Sequence, residues 1–219
     1  MQAERIEISP PQQTQYIQRR GGRTLYHGVR LARSLDVEPN LLVTINFWET
    51  SLTIFEMGPA FLEMRRKFVR WIKNPSRKFA AFAAVPTFLW VLENPEDRGH
   101  FHAHWLVHVP PAREQDFTRK LDGWLKSVAA KNYTPQPIHI EEVPALLGAG
   151  KYLLKGQFPS IARYYGIDPE PQGWIPGTKR SGTSKNLGPT EHEKAWRSGR
   201  HKRPENWRQG KYPPRNRVN

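Results

Sequence analysis

The chain has 219 residues, no cysteine, and 34 lysines and arginines against 20 aspartates and glutamates, a formal charge of +14. That length suits one domain with extensions or two small ones, and hydrophobic residues at 37% suffice for a buried core. Without cysteine there is no disulfide framework, thiolate zinc site, iron–sulfur cluster or cysteine nucleophile, which fits a reducing, cytoplasmic setting and leaves His, Asp and Glu as metal ligands.

Residues 1–39 are rich in glutamine and arginine, and 26–35 fit a short helix. The run 41–48 (LLVTINFW), β-branched and aromatic, predicts a buried strand. A helix follows over 57–73. Pro59 suits its first turn, and Phe61, Met64, Phe68 and Ile72 recur at helical spacing opposite Arg66, Lys67 and Arg70. Residues 87–93 (TFLWVLE) predict a second strand, 94–99 a turn, and 101–109 a third strand ended by Pro110-Pro111. Over 112–131, Phe117, Leu121, Trp124, Leu125 and Val128 share one helical face. A fourth strand over 137–143 and a helix over 144–158 complete the series. The longest apolar stretch, 79–92, is too short to span a bilayer and contains Pro86. No signal-peptide-like apolar stretch lies in the first forty residues.

The order β-α-β-β-α-β-α predicts an α+β fold of the ferredoxin-like, split βαβ kind: an antiparallel sheet with helices on one face and the other face free to carry a site. Three parts are expected, a basic N-terminal extension over 1–39, a central domain over 40–168 and a C-terminal tail over 169–219. Net charge is +2 over 1–39, +3 over 40–170 and +9 over 171–219, so the excess lies mostly in the tail. A polyanion, with nucleic acid first, is the natural partner; a merely soluble basic surface is the alternative. The tail is rich in proline, glycine and cations, with scattered Trp174, Trp196, Trp207 and Tyr212. It shows no apolar period and is expected to be a poorly ordered arm.

The chemistry concentrates in two places. His100, His102, His104 and His108 fall on even positions of the third strand run. Side chains two apart share a sheet face, so His102 and His104 can offer two imidazoles to one ion. His100 lies nearer the turn, as a solvated residue or a substrate contact. Glu93 ends the preceding strand, and the hairpin would return it beside the histidines as a third ligand; a solvated strand-end carboxylate is the alternative. Two histidines and a carboxylate suit Mg²⁺ or Mn²⁺. On the last helix, Tyr152 and Lys155 are i, i+3 neighbours. A phenol near pKa ~10 is a poor nucleophile at neutral pH unless a cation stabilises its oxyanion. Alone, that pair is an ordinary helix face.

Taken together, these residues resemble the HUH endonucleases, the group of rolling-circle replication initiators, relaxases and viral Rep nuclease domains. His102-Ala103-His104 is similar to the HUH motif, Tyr152-Leu153-Leu154-Lys155 to the Y-x-x-K motif of single-tyrosine members, and 42–47 (LVTINF) to their first motif. Viral Rep domains carry a metal-binding glutamate where Glu93 stands. The resemblance covers roughly 40–160. It implies a divalent ion on Glu93, His102 and His104 and attack by Tyr152 on single-stranded DNA at a replication origin. A 5′-phosphotyrosine and a free 3′-hydroxyl would result, with Lys155 lowering the tyrosine pKa or touching the phosphate. DNA contacts are expected from Thr44, Asn46, His100, Lys151, Lys179 and Arg180.

Two departures stand out. Position 156 is glycine, so the second tyrosine of two-tyrosine initiators is missing, and no Walker A sequence is present, so any unwinding would come from a host helicase as partner or the DNA would already be single-stranded. A relaxase or transposase with the same chemistry is an alternative. So is a non-catalytic binder of single-stranded nucleic acid, with Phe47 and Trp48 as stacking surfaces.

Overall fold

The computed structural model describes residues 15–95, 99–129, 137–177 and 179–200. In chain order the elements are α1 (Arg19–Ser34), β1 (Leu41–Asn46), α2 (Ile54–Lys73), β2 (Phe88–Glu93), β3 (His102–Val107), α3 (Glu114–Val128), β4 (Ile138–Glu142), α4 (Leu146–Leu154), α5 (Pro159–Tyr164), β5 (Ser181–Thr183) and α6 (Pro189–Arg197). The strands form one five-stranded sheet in the order β4-β1-β3-β2-β5, antiparallel at every pairing. The molecule is a mixed α+β domain. None of the described helices is long and apolar enough to cross a membrane.

Alternation along the strands builds two cores. Leu41, Val43 and Ile45 of β1, Phe88, Trp90 and Leu92 of β2, and Ala103, Trp105 and Val107 of β3 pack against α2 and α3. From α2 come Phe61, Met64, Phe68 and Ile72, and from α3 Phe117, Leu121 and Leu125, the residues whose helical spacing marked them. Helix α2 starts one turn earlier than expected because Thr53 caps it: the Thr53 N–H donates to Glu56 Oε2 at 2.8 Å. Pro59 therefore lies inside the helix rather than in its first turn.

The opposite sheet face is also covered, which corrects the expectation of helices on one face alone. Leu89, Val91 and Leu106 point there and are buried under Leu25, Val29 and Ala32 of α1 and Leu153 and Leu154 of α4. The reason is the composition of β2, buried at all six positions. A strand apolar on both sides needs two covers, and burying each such side chain contributes about 1.5–3 kcal/mol. The predicted short helix at 26–35 is thus the end of a 16-residue helix that closes the second core. Helices α1 and α4 approach closely through Gly150, where an added Cβ would lie 2.7 Å from Val29 Cγ2.

A second correction concerns the tail. Over 179–200 it is not an unstructured arm: β5 pairs with β2, and Leu187 and Ala195 enter the second core. Small size lets β5 dock, since a Cβ at Gly182 would meet Trp90 Cζ2 at 2.9 Å. Ser184 Oγ accepts from the Phe88 N–H at 3.0 Å, and the Ser184 N–H donates to Phe88 O at 2.8 Å. A strand of serine, glycine and threonine has no apolar alternation to read. Trp207 and Tyr212 lie outside the described residues.

Candidate metal centre and neighbouring tyrosine

Register decides which side chains meet. Glu93 on β2 and Asn46 on β1 both pair with His102 of β3, and Thr44 and Val91 pair with His104. All sit on the α1/α4 side of the sheet, because residues two apart share a face. The predicted ligands therefore converge: Glu93 Oε2 lies 3.4 Å from His102 Nε2 and 3.6 Å from His104 Nε2, and the two Nε2 atoms are 3.1 Å apart. Glu93 is 1% exposed and His104 5%.

The hydrogen bonds orient the two imidazoles, and that of His102 fixes where its lone pair points. His102 Nδ1 lies 2.8 Å from the His100 carbonyl oxygen. A carbonyl only accepts, so neutral His102 carries its proton on Nδ1 and its lone pair on Nε2. His104 Nδ1 has Thr44 Oγ1 at 2.9 Å, and its Nε2 has Tyr152 Oη at 3.0 Å. With Nδ1–H donating to Thr44, Nε2 is the acceptor for the tyrosine hydroxyl. Neither oxygen of the buried Glu93 carboxylate accepts a hydrogen bond from a described residue. Glu93 Oε2, His102 Nε2 and His104 Nε2 thus face one point, where the Tyr152 hydroxyl and the Lys155 ammonium only partly satisfy them and a cation would complete the set. Edges of 3.1–3.6 Å are those of neighbouring ligands about 2.0–2.2 Å from one ion. Glu93, His102 and His104 form a site able to hold a divalent ion such as Mg²⁺ or Mn²⁺.

Electrostatics agree with that fit. Burial pushes the Glu93 carboxyl up, but His102, His104 and Lys155 outweigh it and hold it below the usual carboxylate value. Burial lowers the His104 pKa to about 4, against the pull of Glu93, so the imidazole is neutral at pH 7, the form able to ligate a metal. Burial also raises the Tyr152 phenol; Lys155 works against that rise and Glu93 reinforces it. Lys155 Nζ lies 3.5 Å from Glu93 Oε2, 3.2 Å from Glu170 Oε2 and 4.5 Å from the centre of the Tyr152 ring. Burial would lower its pKa, yet Glu93, Tyr152 and Glu170 raise it above the ordinary value, and it stays charged.

The remaining predicted residues divide. Thr44 holds His104, and His100 holds His102 through its backbone while its ring leans on Trp48 at 4.9 Å. The Asn46 amide donates to Glu49 Oε1 at 2.9 Å, beside the cluster rather than in it. Lys151 is exposed one residue before Tyr152. Lys179 and Arg180 lie at the start of β5, where the Arg180 guanidinium donates to the carbonyls of Gln172 (3.0 Å) and Gly173. They line a groove of their own. Glu170, which anchors Lys155, is not among the predicted residues; one of two acids in the Asp-Pro-Glu-Pro loop 168–171, it carries no signal in sequence. Comparisons of the chain with protein-family models, curated proteins and solved structures find no match.

Proposed function

We propose that the protein nicks and joins single-stranded DNA in a divalent-metal-dependent reaction with Tyr152 as nucleophile, in the manner of a single-tyrosine HUH initiator of rolling-circle replication. The observation that carries this reading is the seat of the Tyr152 hydroxyl, 3.0 Å from His104 Nε2 on the edge of a three-ligand cluster. The strand order β4-β1-β3-β2, with a helix before β2 and before β4, supports it. Two split βαβ passes around a hairpin give that order.

Tyr152 Oη bonds to phosphorus and the P–O3′ bond breaks. The phenol proton goes to water and the leaving oxygen takes one from water, leaving a 5′-phosphotyrosine and a 3′-hydroxyl. Attack by a 3′-hydroxyl on the same phosphorus reverses the step and joins strands. Lys155, pinned between Glu93 and Glu170, keeps a cation over the phenol ring. That charge does not offset burial, and the phenol remains above its ordinary pKa. Glu93, His102 and His104 would hold a divalent ion, which would supply the missing positive charge and polarise the phosphate. The chemistry is therefore expected to need the metal outright.

The test is a labelled single-stranded oligonucleotide set from the DNA flanking the gene, incubated with the protein and Mn²⁺ or Mg²⁺ and run on a denaturing gel. A covalent adduct that disappears with chelator and in Tyr152→Phe is the expected result. An adduct that survives in Tyr152→Phe overturns the assignment of the nucleophile, and cleavage without an adduct overturns the covalent mechanism.

A further inference from the structure

A second site lies on the other side of α1 from Tyr152. Helix α1 opens on Arg19-Arg20, with Arg23 one turn on and no acidic residue in the first turn. Cations at a helix N-terminus oppose the macrodipole, so this arrangement favours an anion beside it. The three arginines line a lobe of about 710 Å³ between α1 and the start of α6. That lobe shares Arg20, Thr24 and Pro189 with a second of about 1260 Å³ along β5, to which Lys179, Lys185 and Lys194 contribute. Glu191 is the one carboxylate among the described lining residues, and it is paired with Lys194 at 2.7 Å. The N-terminus of α6, nine residues long, faces the same space through Gly188, Pro189 and Thr190.

Shape and composition narrow the ligand. Two joined lobes make a groove, which suits a polymer better than a small anion. Among the described residues that line it stacking surface is scarce: Tyr16 is the one tyrosine or tryptophan there, and the rings of His27 and His192 already lie on each other, centroids 4.1 Å apart. Single strands are held on aromatic platforms, whereas a duplex keeps its bases stacked and offers phosphates. The groove also abuts the catalytic end of the sheet, since the Leu92 N–H donates to Arg180 O at 2.7 Å, one residue from Glu93.

We propose that the groove between α1, β5 and α6 grips the phosphate backbone of duplex DNA, holding the double-stranded flank of the DNA whose single strand reaches Tyr152. The position of that flank rests on the nicking reading; the grip itself does not. The test is anisotropy of a labelled duplex with the full chain in chelator, so that no cleavage intervenes. The variant is Arg20→Ala/Arg23→Ala/Lys185→Ala, three exposed cations on the groove. The control is Arg66→Ala/Lys67→Ala/Lys73→Ala, which removes the same charge from α2 on the opposite sheet face.

Loss of three phosphate contacts should flatten the slope of log affinity against log salt by about 2–3. Wild type should then lose about 40-fold more affinity than the variant between about 50 and 200 mM salt. The control should keep the wild-type slope, and circular dichroism should show both variants folded. Equal flattening in both, or in neither, overturns the groove, as does stronger competition by duplex RNA or anionic vesicles than by unlabelled duplex DNA. A groove effect in a protein that forms no adduct leaves this site standing and removes only the nicking reading.

Discussion

The two faces of the sheet are made by alternate residues of the same strands, yet they do different work. On the α2/α3 face, Trp105 is fully buried amid aromatic rings, edge-on to Phe68 at 5.1 Å, Phe61 at 5.6 Å, Phe88 at 5.9 Å and Phe117 at 6.3 Å. One residue back, on the α1/α4 face, His104 is almost as buried but touches Thr44, Glu93 and Tyr152. The first face gains from closure. The second brings three ligand atoms within 3.6 Å of one another with few donors between them, giving up stability for a site. A one-residue register slip would exchange the two sets.

The sharpest way to break this contrast is to damage the first face. Trp105→Ala should lower stability by about 3–5 kcal/mol, a loss read by denaturant melts, and reduce metal binding only through unfolding. His104→Ala should do the reverse, abolishing metal binding by calorimetry while the protein stays folded. If His104→Ala unfolds the chain as severely as Trp105→Ala, the division of labour between faces is wrong.

Acid should expose the second face next. With His104 at about 4 when folded and near 6.5 when unfolded, the unfolded chain binds a proton between those values that the native chain refuses. Stability is then full above pH 6.5 and falls by about 3 kcal/mol as pH drops to about 4. Glu93, held below its ordinary value, adds to the loss lower down. Urea midpoints measured across that range in chelator should show the fall in wild type and a flatter profile in His104→Ala.

Smaller effects sharpen the picture. Thr44→Val removes the hydroxyl beside His104 Nδ1 and should weaken metal affinity about 10–100-fold without moving the melting temperature. His100→Ala should matter least. It is the backbone carbonyl of His100 that holds His102, and that survives the substitution. A loss of metal affinity in His100→Ala as large as in His104→Ala would show that the imidazole of His100 is itself a ligand.

Much of the site could be read because its signals are local. Two histidines two apart on a strand share a face whatever surrounds them, and a hairpin brings the end of β2 back to the start of β3, so local rules alone group Glu93, His102 and His104. The helical spacing of Phe61, Met64 and Phe68 and of Phe117, Leu121 and Leu125 placed α2 and α3 for the same reason. What failed was non-local. The pairing of β5 with β2 joins residues about 90 apart in the chain through small side chains with no periodicity. The cover by α1 answers the second apolar side of β2, but no local pattern says which element supplies it.

The sequence by itself determined which residue types could bind a metal, which strand presented them and which helix carried a tyrosine one turn from a lysine, since these follow from backbone periods of two and 3.6. Only the tertiary structure decided that Tyr152 meets His104, that Lys155 lies between Glu93 and Glu170, and that the cations of α1 and the β5 segment line one groove. Those contacts depend on how closely α1, α4 and the C-terminal segment pack on the second sheet face. Packing at Gly150 and Gly182 is set by space that no local pattern encodes.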